Sequence, residues 1–336
     1  MKYRMDATEQ TTDVLVIGSG MAGLIAAAEL QVAGRSVLVL DKSRAVGGRM
    51  ASRRIGAATF DHGAQFITAR SPRFAAQLGH WQETEAVQEW CRGFAERADG
   101  HARWRGKPTM TSVAKHVAHG LAVSLEKQIV RFCRAGDRWT AETNSLETFS
   151  AAAVVLTPPV PQSLALLDAG GVPLSPETRS RLAGIEYERC LAVLAVLDGP
   201  SRIPPPGGLT PAAGLIAWIA DNQLKGISTD PAVTIHATHA FSLAHWDRDR
   251  QESGRRLLDE AAPWLGAGIK TFQVHGWRYS KPMQVDEQPC VLVSQSPPLV
   301  LAGDAFAGPR VEGAALSGWA AADTLLTKAL FRQSPA

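Results

Sequence analysis

The chain has 336 residues, 45% of them hydrophobic, and a formal net charge of +3 at pH 7. That length exceeds what a single core usually organises, so two associated domains are expected. The nearly balanced charge, without a basic tract or an interleaved aromatic and basic pattern, sets nucleic acid aside as a partner.

Cys91, Cys133, Cys190 and Cys290 stand far apart with no C-x-x-C spacing. This favours reduced thiols over a disulfide framework or a zinc site. Residues 1–13 are polar and carry both charge signs, with no apolar signal core. Charges or glycines interrupt every apolar run before the roughly 20 residues of a membrane span. The expectation is a soluble, cytoplasmic protein with no membrane partner.

The first predicted strand, 14–17, runs into Gly18-Ser19-Gly20-Met21-Ala22-Gly23, a G-x-G-x-x-G turn that opens an Ala-rich helix. Gly18 makes the tight turn, Gly20 lets backbone approach a pyrophosphate, and Gly23 lets the helix lie close on the sheet. A second strand, 36–40, ends in Asp41, an acceptor for ribose hydroxyls. The glycine spacing is weak evidence by itself, but strand, helix and terminal acid together define a dinucleotide site.

A Gly and Arg segment follows, Gly47-Gly48-Arg49 through Arg53-Arg54, and 60–66 reads as irregular backbone returning to the cofactor. Helical periodicity is expected from 71 to 103 around Phe74, Leu78, Trp81, Val87 and Trp90. A helix over 110–122 has Thr111 or Ser112 as N-cap. Strands near 123–125, 129–133 and 139–142 predict a meander. The apolar run 153–156 suits a buried parallel strand, with Thr157-Pro158-Pro159 taking the chain out of the sheet and into another domain. Beyond it come a helix from Ser175-Pro176-Glu177, strands near 190–197, 215–219 and 233–239, a loop at 204–208 and a helix over 251–265. A last buried strand, 299–302, ends in Gly303-Asp304, and Val311-Glu312-Gly313-Ala314 opens the final helix.

Two glycines before Arg49 permit close backbone approach, and a fixed guanidinium neutralises pyrophosphate charge. With the distant Gly303-Asp304 they indicate FAD; a nicotinamide-only dehydrogenase leaves both features without a role. The expected fold is α/β. A Rossmann-like FAD-binding domain with a parallel sheet takes 1–70, 104–160 and 284–336, and a mixed α+β substrate domain on a largely antiparallel sheet takes 71–103 and 161–283.

At these residues the chain resembles the two-dinucleotide-binding-domain flavoproteins, the class of monoamine oxidase and phytoene desaturase. A longer set is similar to bacterial renalase nearly end to end. It comprises Asp41-Lys42-Ser43-Arg44, Gly47-Gly48-Arg49-Met50, 61–70, Gly106-Lys107-Pro108, and Gly303-Asp304 with Arg310-Val311-Glu312-Gly313. Weaker echoes lie at His236-Ala237-Thr238 and 275–279.

The resemblance implies oxidation of the 2-dihydro and 6-dihydro isomers of NAD(P)H to NAD(P)⁺, with dioxygen reoxidising the flavin to give hydrogen peroxide. Hydride transfer to flavin N5 needs stacking and orientation more than an acid or base, so no catalytic side chain is named. Non-covalent FAD is implied, because no Cys lies near 313–318. The implied cofactor residues are Gly18, Ser19, Gly20, Met21, Ala22, Gly23, Asp41, Lys42, Gly48, Arg49, Met50, Gln65, Phe66, Val130, Thr157, Asp304, Val311, Glu312, Gly313 and Ala314. The segment Phe66, Ile67, Thr68, Ala69 and Arg70 faces substrate in the family, and Trp218 is the first tryptophan to consider for stacking. Trp104, Trp246 and Trp277 are core residues by default.

His62 departs from the Met of the family's Asp-Met-Gly-Ala-Gln and reads as a packing or hydrogen-bonding residue. His116/His119 and His236/His239 lack a supporting carboxylate or thiol set, so no metal is expected. Two rivals remain. One is a flavin amine oxidase or desaturase, for which Lys225 in the loop-like 222–226 is the lysine to check; the other is a non-catalytic FAD-binding sensor or interaction protein.

Overall fold

The computed structural model describes residues 10–94 and 99–327. Most of the polar N-terminus and residues 95–98 of the stretch read as helical lie outside them. The chain divides into two units, one of Met1–Gly48, Val117–Glu186 and Met283–Ala336, the other of Arg49–His116 and Tyr187–Pro282.

The first unit opens with β1 (Gln10–Ile17), α1 (Met21–Val32) and β2 (Val37–Leu40), with β1 and β2 parallel and Ile17 opposite Leu40. Val14, Leu15 and Val16 are fully buried, as a strand covered on both faces requires.

The second unit begins at Arg49, within a single 3₁₀ turn at Gly48–Met50. The hairpin of β3 (Ser52–Ile55) and β4 (Ala58–Asp61) follows, so the irregular backbone expected from Phe60 starts only after Asp61. In α2 (Pro72–Glu83) the Ser71 hydroxyl accepts from the Phe74 N–H, and Phe74, Leu78 and Trp81 face inward. This helix does not run on to 103. Glu85 takes φ +58°, which stops it, and β5 (Val87–Cys91) then pairs antiparallel with β6 (Arg103–Gly106). The spacing of Val87 and Trp90 fits a helix, but left-handed backbone overrides it. The next helix, α3 (Met110–Ala118), is not capped by Thr111 or Ser112. Asp61 Oδ1, far away in sequence, accepts from the Met110 N–H at 3.0 Å.

The chain returns to the first unit with β7 (Ala122–Ser124), β8 (Ile129–Ala135), β9 (Arg138–Thr143) and β10 (Thr148–Leu156). Of the three strands expected to form a meander, β8 and β9 pair antiparallel and β9 goes on to pair antiparallel with β10, but β7 leaves the meander and pairs parallel with β2. The prolines after β10 start α4 (Val160–Ala169) instead of leading the chain away, as suits proline in a first helical turn. Val160 and Leu167 are buried, and α5 (Pro176–Ala183) also stays in this unit. Residues 161–186, read from sequence as substrate domain, therefore belong with the nucleotide fold. Residues 49–70 and 104–116 fall in the other unit, where Asp61 ties them together.

In the second unit, β11 (Tyr187–Leu197), β12 (Gly208–Leu209), β13 (Ile216–Asp221), β14 (Ala232–Ala237), α6 (His239–Ala244), α7 (Arg250–Leu265) and β15 (Ile269–Pro282) follow. The sheet order is β12-β13-β14-β11-β15, antiparallel throughout. Leu257, Leu258, Ala261 and Leu265 of α7 cover Leu191, Val193, Ala195 and Leu197 of β11. Sequence reading missed β15, the longest of these strands, because few of its residues are buried and no alternation marks it.

The chain ends in the first unit with β16 (Val291–Gln295), β17 (Pro298–Leu301), α8 (Asp304–Ala307) and α9 (Val311–Thr327). Its sheet runs β16-β17-β10-β1-β2-β7; β17, β10, β1, β2 and β7 run parallel to one another, while β16 is antiparallel to β17. Among the described residues no helix is long and apolar enough to cross a membrane.

Candidate functional site

Strand register collects the nucleotide residues of the first unit. Ile17 stands opposite both Leu40 and Leu156, and Leu156 opposite Leu301. The residues that follow, Gly18, Asp41, Thr157 and the Ala302-Gly303-Asp304 turn, thus leave the sheet along one carboxyl edge. This is where open α/β sheets bind ligands.

Gly18 has φ +107°, backbone that L side chains rarely adopt, and a Cβ there would strike Thr157 Oγ1. A Cβ on Gly23 would meet the Gly18 carbonyl. At Gly20 nothing lies within 4 Å of a Cβ position, and α1 begins without a side-chain cap. An open glycine before uncapped N–H groups fits the pyrophosphate of a dinucleotide. Ser19 and Met21 to Gly23 are buried behind it.

Asp41 Oδ2 accepts from the Ser19 N–H at 2.6 Å and from its hydroxyl at 2.8 Å, while Oδ1 accepts from the Ser43 N–H. The carboxylate braces the glycine turn and keeps acceptor capacity for a ribose. Lys42 reaches Gln162 Oε1, and the Thr157 hydroxyl donates to Ile17 O. Gly47 N–H donates to Ser19 O, setting Gly48 beside the turn. Ser317 Oγ accepts from the Gly303 N–H, joining α9 to the Asp304 turn, and Glu312 is buried in the first turn of α9 beside Val311, Gly313 and Ala314. Val130 is 39% exposed at an irregularity of β8, three residues after Lys127, whose N–H donates to Asp41 O.

The remaining predicted residues, Arg49, Met50, Gln65 to Arg70 and Trp218, all belong to the second unit. Arg49 Nη1 donates to the Tyr279 and Ser280 carbonyls at 3.4 Å, and Met50 O accepts from Thr111. Ile67 is buried and exchanges backbone bonds with Trp104, whereas Thr68 and Ala69 are half-buried and Arg70 is exposed.

Asp61 organises this segment. Its Oδ1 accepts from the Ser52 hydroxyl at 2.6 Å and from the Met110 N–H, and its Oδ2 lies 2.7 Å from Lys225 Nζ. Gln65 Nε2 donates to the Asp61 and Gly63 carbonyls, which fixes the amide and leaves Gln65 Oε1 buried without a partner.

Phe66 joins an aromatic box that sequence reading only half found. Its ring lies 5.8 Å from Trp218, 5.4 Å from Phe94 and 6.3 Å from Trp90, and Phe94 meets Trp218 edge-on at 4.8 Å. The protein's own cations cover it. Lys225 Nζ is 5.1 Å from the Trp90 ring centre, and the Arg103 guanidinium is 5.2 Å from Phe94 and 5.9 Å from Phe66. Trp218 Nε1 is a buried donor without a partner. Burial pushes the Lys225 ammonium below its ordinary value, against the Asp61 carboxylate. The alternating Arg103-Trp104-Arg105 was the available signal for Arg103.

Three histidines, His62, His236 and His275, adjoin this segment. His62 stacks on Trp277 and meets His275 edge-on at 4.8 Å. Its carbonyl accepts from Trp277 Nε1 and from His236 Nε2, so His236 carries its proton on Nε2. Burial first, then His275 and Arg53, lowers His62 to about 3. Burial lowers His236 and His275 to about 4. His239 Nδ1 accepts from the Arg189 N–H. No group of three candidate metal ligands occurs among the described residues. All four cysteines are free, and burial pushes Cys190 up to about 12.

The chain belongs to the flavin containing amine oxidoreductase family, whose model matches residues 75–326; that of the NAD(P)-binding Rossmann-like domain matches 16–80. Its cofactor is FAD. Putrescine oxidase of Kocuria rosea is 34% identical over 114 residues, 32% of this chain and 24% of its own length. L-amino acid dehydrogenase of Synechocystis is 34% identical over 76 residues, 22% of this chain and 16% of its own length. The matched stretches thus span under a quarter of these relatives. The solved structure of wild-type putrescine oxidase bound to putrescine superposes with a TM-score of 0.73 at 14% identity, covering 95% of this chain and all of that one. At that identity the likeness shows the fold alone.

Proposed function

We propose that the protein is a FAD-dependent oxidase of renalase type, taking the 2-dihydro and 6-dihydro isomers of NAD(P)H to NAD(P)⁺. In the overall reaction the dihydro isomer, dioxygen and a proton give NAD(P)⁺ and hydrogen peroxide. When bound, FAD supplies the two-electron acceptor and passes the electrons to dioxygen.

The observation that carries this reading is the box of Phe66, Trp90, Phe94 and Trp218 with Lys225 and Arg103 already over its rings. An alkylammonium substrate is drawn to vacant, electron-rich ring faces. Here protein cations occupy faces, and the unpartnered polar atom, Trp218 Nε1, is a donor that an ammonium cannot satisfy. A dihydronicotinamide brings a flat ring and a carboxamide oxygen, which suit both features.

In this reading Gly18 to Gly23, Asp41, Lys42, Gly48, Thr157 and Asp304 hold the dinucleotide, and Arg49 neutralises its pyrophosphate. Met50, Gln65, Phe66 and Val311 to Ala314 support the flavin, with Val130 at the adenine end. Ile67 to Arg70 and Trp218 orient the substrate. Orientation is the main task, since the reaction needs ring contact more than a proton relay.

The matches to putrescine oxidase favour amine oxidation as the second reading. Peroxide formation measured with dihydro isomers, putrescine and other amines separates the two. Turnover of isomers alone supports the proposal, and turnover of amines alone replaces it.

A further inference from the structure

The second unit carries an arginine cluster that the proposed reaction does not use. Trp246, two residues past the end of α6, is 7% exposed and is covered by three guanidinium groups. The Arg250 guanidinium carbon lies 4.7 Å from its ring centre, that of Arg189 5.1 Å and that of Arg278 5.8 Å. They come from the start of α7, from β11 and from β15, so tertiary structure alone assembles them.

Nearby carboxylates do not neutralise the cluster. Among the described residues no ion pair involves Arg189, Arg250 or Arg278, while Glu188 is taken by Lys281 and Glu252 by Arg256. The Asp249 side chain caps α7 by accepting from the Glu252 N–H. Arg250 Nη1 is buried with no hydrogen-bond partner. Gly276 leaves room on β15, where an added Cβ would come within 3.1 Å of Arg250 Nη2.

Three like charges around one ring repel each other, and an unpaired buried N–H of a guanidinium is costly. An anion with several acceptor oxygens relieves both. Guanidinium forks match phosphate in shape and charge. We infer that Arg189, Arg250 and Arg278, floored by Trp246, form a phosphate-binding site. Its ligand is a phosphate group, borne on a nucleotide such as the 2′-phosphate of NADP⁺ or free as the inorganic ion.

The test is calorimetric titration of the FAD-loaded protein with inorganic phosphate, NADP⁺ and NAD⁺, repeated on Arg250→Gln and Arg278→Gln. Saturable, one-to-one phosphate binding is expected, weakened roughly 10-fold or more by either substitution. The flavin spectrum is expected to stay unchanged. Removing one of three like charges should hold or raise the melting temperature without phosphate, so lost binding is separable from lost folding.

A preference for NADP⁺ over NAD⁺ that disappears in the variants identifies a nucleotide phosphate as the source. Phosphate binding without that preference identifies the free ion. Absence of saturable binding by either ligand, or equal binding by wild type and variants, overturns the site. None of these outcomes depends on turnover of dihydro isomers, so the proposed function stands or falls separately.

Discussion

Lys225 Nζ and Asp61 Oδ2 lie 2.7 Å apart with both side chains wholly excluded from solvent, although 164 residues separate them in sequence. The pair joins β4 to the loop between β13 and β14, and Asp61 also holds the start of α3. Asp61→Asn leaves a buried ammonium without its counter-charge and is expected to cost about 3–5 kcal/mol. The double variant Asp61→Asn, Lys225→Met removes both charges and should recover a large part of that loss. Urea unfolding of wild type, single and double variants checks this; equal losses in single and double variants would refute ion pairing as the cause.

His62, His236 and His275 stay neutral in the folded protein because burial lowers them to about 3, 4 and 4. An unfolded histidine takes up its proton near pH 6.5, its ordinary value. Between that point and the folded values the unfolded chain binds more protons, so stability is complete above pH 6.5 and is lost as pH falls toward 4. The slope is about 1.4 kcal/mol per pH unit for each histidine that remains neutral. Melting curves from pH 7 to pH 5 should show His236→Asn with a shallower loss than wild type, and parallel curves would remove His236 from the account.

Gly23→Ala sets a methyl group against the Gly18 carbonyl, with Thr157 Oγ1 and Val16 Cγ1 each 3.1 Å away. The expected result is loss of bound FAD on gel filtration, the protein emerging colourless. Arg49→Ala should weaken FAD by roughly 10-fold through loss of one charge-assisted contact. Retention of yellow colour at wild-type dissociation constants removes Arg49 from the pyrophosphate.

Trp218→Phe keeps an aromatic ring in the box and deletes its unpartnered N–H. Flavin reduction by substrate should require roughly 5–10 times more substrate, with FAD affinity unchanged, a loss of about one hydrogen bond. Arg70→Ala tests the exposed end of the same segment and should slow reduction while FAD stays bound. Wild-type kinetics in both would take the substrate off this face.

The nucleotide fold was legible in sequence because its signals are local. Gly18 to Gly23, the acid at Asp41 and the apolar runs of β1, β10 and β17 each declare themselves within a few residues. What failed to show depends on distant contacts. Nothing near Thr111 reveals that Asp61 caps α3, and Val87 and Trp90 fit a helical period until Glu85 turns left-handed. The prolines after β10 read as an exit because their helix-starting role depends on where α4 packs. Phe66 and Trp218 were found singly, whereas Trp90, Phe94 and Arg103 join them only through tertiary structure. Lys225 does lie in a loop, as its surroundings indicate, but its burial stayed hidden because its partner Asp61 sits in another hairpin.

The most direct measurement is anaerobic stopped-flow absorbance of the FAD-loaded protein mixed with 2-dihydro and 6-dihydro NAD(P)H isomers, with ordinary NADH and putrescine in parallel. A renalase-type oxidase gives rapid, saturable bleaching of the oxidised flavin band with the isomers and none with ordinary NADH or putrescine. Bleaching by putrescine with isomers inert would contradict that reading and assign the aromatic box to an amine.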